Sequence, residues 1–156
     1  MTKPITWFGT WLPLIKVAQS ICLAIIILLF MDGRTQWIVY TVIYIFAFIA
    51  LLLTLFSIGV RYFEINGRGK LSFNDLDLLM NVFFGVVSFS LSLILMWDIR
   101  NMMNGPRNYK YHKHLAPYNI GMDSWIRRCS ITAGALVLTS ALYLFTFVRL
   151  FRAHRR

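Results

Sequence analysis

Residues 37–60 read WIVYTVIYIFAFIALLLTLFSIGV, a run from Trp37 to Val60 without one charged side chain. Wound as a helix at about 1.5 Å per residue, it is roughly 36 Å long, more than the ~30 Å hydrocarbon core of a bilayer. A chain of 156 residues has too little other material to bury such a rod on all sides, so its solvent is lipid. Three more apolar runs accompany it, at about 12–31, 78–97 and 129–148. A backbone in hydrocarbon must satisfy its hydrogen bonds within its own segment, so each run is expected to be a helix. The fold class is all-α: a polytopic membrane protein, an antiparallel bundle of four transmembrane helices forming one domain over residues 1–156.

The charges lie between and outside these runs. Lys and Arg total 16 against 6 Asp and Glu, for a formal net charge of +10. In a soluble domain that balance would suggest nucleic acid. Here the aromatic side chains belong to the apolar runs rather than the basic segments, so no nucleic-acid partner is expected and anionic lipid headgroups are the fitting counter-charge. With four spans, one side of the membrane carries Lys3, Lys16, Arg61, Arg68, Lys70, Arg149, Arg152, Arg155 and Arg156. The other carries Arg34, Arg100, Arg107, Lys110, Lys113, Arg127 and Arg128. Nine against seven, together with the basic upstream flank of the first run, places both termini in the cytosol; the basic connector 98–128 pulls the other way. The first run is expected to be retained as a signal-anchor, since no small-residue cleavage site follows it.

Along the chain, Lys16 near the start of helix 1 is placed to snorkel to the interface, and Gln19 and Ser20 share its face. Residues 32–36, with Gly33, form a turn short enough to make helices 1 and 2 an antiparallel hairpin. Ala47, Ala50, Thr54 and Ser57 give helix 2 a face of small side chains, which lets helices approach closely where lipid supplies no hydrophobic drive. Asn74, Asp75 and Asp77 read as caps before helix 3. Asn81, Gly85, Ser88 and Ser92 then form a small, polar seam along it. In helix 4, Ser130, Ala133, Gly134 and Ala141 line one side, and Thr132, Ala135, Thr139 and Thr146 the other. The expected helix-packing set is Asn81, Gly85, Ser88, Ser92, Ser130, Gly134 and Ala141. The basic tail 149–156 supplies Arg149, Arg152, Arg155 and Arg156 as lipid-headgroup contacts.

Signs of catalysis are sparse. Asp32, Glu64, Asp75, Asp77, Asp98 and Asp123 all fall at or outside the span ends, so no carboxylate is expected mid-membrane. His112 and His114 have no third ligand in reach of their spacing, and no P-loop, nucleophile elbow or HExxH helix occurs. No enzyme activity, metal or cofactor is expected. Cys22 and Cys129 imply no disulfide framework; Cys129, beside Arg127 and Arg128, is read as a small packing residue before an acceptor for palmitoylation. Two segments fit the loose sterol-contact pattern, Val60 through Tyr62 to Arg68, and Leu138 through Tyr143 to Arg149.

The opening of helix 1, Leu12-Pro13-Leu14-Ile15-Lys16-Val17-Ala18-Gln19, and the acidic entry to helix 3, Leu76-Asp77-Leu78-Leu79, resemble the MARVEL-domain tetraspans, as do the short first turn and the small-residue seams. Claudins, tetraspanins and the synaptophysin branch would carry loop cysteines that this chain lacks. The resemblance implies a non-enzymatic organiser of membranes or partner proteins in vesicle trafficking, junction formation or cell fusion, in a plasma or vesicle membrane. Its partners would be lipids, sterol among them, other membrane proteins, or a second copy of itself. The competing readings are a small channel or transporter, or an accessory subunit of one, with Lys16, Gln19, Asn81 and Ser88 converging on one cavity, and, behind it, a membrane-embedded enzyme, which a deep pocket ringed by His and Asp would support.

Overall fold

A computed structural model describes residues 9–63, 73–104 and 116–154. They form four helices: α1 (Trp11–Phe30), α2 (Ile38–Tyr62), α3 (Phe73–Met103) and α4 (Met122–His154). All four are long and apolar enough to cross a membrane. Pro13 is accommodated in the first turn of α1, where an intrahelical N–H is not required. Asp75 and Asp123 lie in the first turns of α3 and α4, and Arg61 and Arg100 in the last turns of α2 and α3, each placed to oppose the helix dipole. The turn at 31–36 joins α1 to α2, and Gln36 N–H donates to Gly33 O at 3.1 Å.

Helices α3 and α4 outrun their apolar stretches at both ends. The 31 residues of α3 make a rod of roughly 46 Å, so its polar ends reach past the hydrocarbon. Hydropathy marks only the oily middle of such a rod; the backbone hydrogen bonds continue through the polar turns beyond.

Each helix turns one narrow stripe inward. The stripe runs through 16, 19, 23, 26 and 30 on α1; 40, 43, 47, 50, 54 and 57 on α2; 77, 81, 84, 88, 91, 95, 98 and 102 on α3; and 125, 129, 132, 136, 139, 143 and 146 on α4, with buried 13, 22, 60, 85, 92, 133 and 140 beside it or at its ends. Steps of three and four alternate throughout, a mean repeat of 3.5, which is the spacing that keeps a seam facing its neighbours along the length of a bundle. Large apolar side chains off the stripe, such as Leu28, Ile38 and Leu79, are exposed, as befits a surface solvated by lipid.

Packing is uneven around the bundle. α4 lies against both α1 and α3, and α1 against α2, whereas α2 and α3 approach each other at only a few points. Gly85 sits where a side chain would stand 2.8 Å from Leu144 Cδ2, and its carbonyl accepts the Ser140 hydroxyl at 2.7 Å, so α3 and α4 meet closely there.

The stripe corrects part of the expected packing set. Asn81, Gly85, Ser88 and Ser92 are buried, but Ser130, Gly134 and Ala141 are exposed, with nothing within 4 Å of where a Gly134 Cβ would point. The inward face of α4 is set by Trp125, Cys129, Thr132, Leu136, Thr139 and Tyr143. Positions 130, 134 and 141 fall off that 3.5-residue repeat.

Candidate functional site

Two buried polar clusters tie the helices together, one near each end of the bundle. Both are built on α3. Asp77 and Asp98 lie 21 residues apart, roughly 32 Å along a helix, and each is fully buried.

The Asp77 cluster joins three helices. Its Oδ1 accepts from Lys16 Nζ of α1 at 2.9 Å, from Ser57 Oγ of α2 at 3.2 Å and from Asn81 Nδ2 at 3.2 Å. Its Oδ2 accepts from Arg61 Nη2 at 2.7 Å and Nε at 3.3 Å. Lys16 Nζ also donates to Asn81 Oδ1 at 3.3 Å, so Asn81 bridges the ammonium and the carboxylate. Such a carboxylate is saturated with donors, the condition under which a buried charge is tolerable. One turn deeper, Gln19 Nε2 donates to Thr146 Oγ1 at 3.2 Å, linking α1 to α4, and the Thr54 and Tyr143 hydroxyls lie 2.6 Å apart, linking α2 to α4.

The Asp98 cluster is aromatic. Tyr40 OH of α2 donates to Asp98 Oδ2 at 2.5 Å, and Trp125 Nε1 of α4 donates to the Tyr40 oxygen at 3.4 Å. Phe30, Tyr40 and Trp125 pack with ring centroids 5.2–5.4 Å apart. The indole presses on Gly33 so closely that a Cβ there would collide with its ring. Outside this cluster, Arg128 Nη1 reaches Asp32 Oδ2 at 2.8 Å, tying α4 to the turn.

Several expectations change. Lys16 does not snorkel: it is 2 % exposed and turned inward, because Asp77 offers a charge partner closer than the interface. Asp77 does not cap α3; the helix begins at Phe73, which carries Asp77 more than one turn inside it and onto the buried stripe. Asp77 and Asp98 are thus carboxylates inside the bundle rather than beyond its ends. The seam already pointed to them, since extending 81, 85, 88 and 92 by steps of three and four reaches 77 below and 95 and 98 above. Trp125 had no signal in the hydropathy, as it lies in a stretch broken by Asp123, Arg127 and Arg128, but it stands one turn before Cys129 on the same stripe.

Cys129 is buried beside the Asp98 cluster and is a packing residue, with no surface to accept an acyl chain. Tyr143 is also turned inward, so the segment 138–149 does not present its tyrosine to a sterol. Of the channel-like set, Lys16 and Asn81 meet, while Gln19 is directed to Thr146. Gln19 Oε1, Ser88 Oγ, Thr132 Oγ1 and Thr139 Oγ1 are buried without a hydrogen-bond partner among the described residues.

In the tail, the Arg149 guanidinium lies 5.1 Å from the Trp11 ring centroid and 5.9 Å from that of Phe145. Arg149 and Arg152 line a shallow hollow with Trp11 and Ala153. Arg155 and Arg156, the His112 and His114 pair, and Arg68 at the end of the first sterol-like segment lie outside the described residues.

Four apolar spans cross-linked by buried polar side chains define a multi-pass, four-helix membrane protein. Searches of protein-family models, curated proteins and solved structures return no match to the chain.

Proposed function

We propose that this protein is a non-enzymatic tetraspan scaffold that organises membranes or partner proteins through helix and lipid contacts. One observation carries the reading: the buried charged side chains among the described residues, Lys16, Asp77 and Asp98, are each bonded to a polar partner on another helix, as in the Lys16–Asp77–Arg61 and Tyr40–Asp98 links. A solute path would need such groups facing water, whereas a scaffold needs them to fix one helix arrangement. The resemblance to MARVEL-domain proteins supports vesicle trafficking, junction formation or cell fusion as the setting, in a plasma or vesicle membrane, with both termini in the cytosol. Arg149 and Arg152, with Arg155 and Arg156, would then contact anionic headgroups of the inner leaflet at about 1 kcal/mol per residue. Other membrane proteins, or a second copy of the chain, are the protein partners.

The channel or transporter reading draws on the buried oxygens of Gln19, Ser88, Thr132 and Thr139, which have no protein partner among the described residues. Flux measurements on the purified full chain in liposomes separate the two. A scaffold gives ion and solute leakage equal to protein-free vesicles; flux that Asn81→Leu abolishes overturns it. Proximity labelling in the native cell, from tags on each terminus, identifies the partners and reads the orientation.

A further inference from the structure

The loose edge of the bundle is a crevice. Between α2 and α3, Ile49, Leu53, Leu79, Met80, Phe83 and Phe84 line an open groove of about 390 Å³ without a polar lining atom. Its limits are chemical. At the inner end Phe84 meets Phe46 with ring centroids 5.8 Å apart. At the outer end stand Asp77, two residues before Leu79, and Arg61, eight residues, or about 12 Å, beyond Leu53. The crevice therefore lies in the leaflet whose surface Arg61 approaches.

Arg61 is only partly used. Its Nε and Nη2 serve Asp77, while Nη1 has no hydrogen-bond partner among the described residues, and the side chain is 16 % exposed. Lys16 and Arg61 share the single carboxylate of Asp77, leaving the cluster one positive charge in excess. Exposed Asp75 lines a neighbouring hollow with Arg61, Asn74 and Leu78, but Arg149 and Arg152 at the same end keep the described charges cationic, four against two. A guanidinium with a spare edge, in the last turn of α2 beyond an oily slot, suits a phosphate carrying an acyl chain.

We propose that this crevice holds an anionic phospholipid, with one acyl chain against Leu53, Leu79 and Phe83 and the phosphate on Arg61. The site rests on the membrane-spanning fold alone, so its failure would leave the flux test of the scaffold reading untouched. The test uses purified full-length protein in nanodiscs containing phosphatidylserine with a photoactivatable diazirine in its acyl chain, and cross-linked peptides are mapped by mass spectrometry. Labelling is expected to concentrate on Leu53, Leu79 and Phe83 rather than on Leu14 and Phe145, which are exposed in the same leaflet (55 % and 50 %). Unlabelled phosphatidylserine should compete about fivefold better than phosphatidylcholine, the effect of one interfacial charge, and diacylglycerol should compete poorly. Leu79→Trp, which fills the slot from its lipid side because Leu79 is 64 % exposed, should remove the label without lowering the unfolding temperature. Labelling spread evenly over the exposed apolar residues, or competition indifferent to headgroup, would overturn the proposal.

Discussion

Asp77 is the residue on which three helices depend, and its chemistry predicts an asymmetric response to mutation. Asp77→Asn keeps the shape but leaves the Lys16 and Arg61 cations facing a neutral amide, in a place where they are largely removed from solvent. Removing one partner of a buried pair costs roughly 3–5 kcal/mol, so unfolding in detergent should occur at a much lower temperature. Lys16→Met combined with Asp77→Met deletes the buried pair and leaves Arg61 free to reach the surface. The double variant should regain a substantial part of the loss; if it is as unstable as Asp77→Asn, the ion pair is not what the cluster contributes. Glycines give a second contrast. Gly85→Leu drives a side chain into Leu144 and should cost about 1–3 kcal/mol, whereas Gly134→Leu enters open space and should stay within about 0.5 kcal/mol of the parent. The same denaturation series reads both.

Among the elements, the α1–α2 turn is fixed less by its own sequence than by the helix beneath it. Trp125 is held among Phe30 and Tyr40 and is fully buried, so its ring cannot retreat from an added methyl group. Gly33→Ala should destabilise the bundle by about 1–3 kcal/mol, and Trp125→Phe in the same chain should relieve part of that cost. The Arg128–Asp32 bridge over the same turn is partly exposed, at 33 % and 47 %. Asp32→Asn should therefore cost under about 1 kcal/mol, with the difference vanishing at high salt; a loss as large as that from Asp77→Asn would show that the turn is held electrostatically. In α4 the sequence offered two small-residue faces, and the tertiary structure uses the one containing Thr132 and Thr139. The choice follows from register, because only that face continues through Leu136 and Tyr143 to pack along the whole helix.

For the whole molecule, topology is testable without knowing a partner. Native Cys22 and Cys129 are buried, so cysteines introduced at exposed Asn74, Asn104 and Tyr118 report against a quiet background. In intact cells a membrane-impermeant thiol reagent should reach Asn104→Cys and Tyr118→Cys but not Asn74→Cys if the termini are cytosolic. Labelling of all three from one side would mean that a helix fails to cross. The amino-acid order alone set the number of spans, their helical state and the position of their oily centres, since hydrocarbon admits no other way of satisfying the backbone of a long apolar run. It even carried the 3.5-residue stripe on which Lys16, Asp77 and Asp98 all fall. The folded bundle was needed to settle which stripe faces inward, that α2 and α3 meet at only a few points, and that the charges at the span ends turn toward one another. Hydropathy contrast marks an inside face in water, but lipid and protein interior are both apolar, so the choice fell to close packing and to charges that find their partners across helices far apart in sequence.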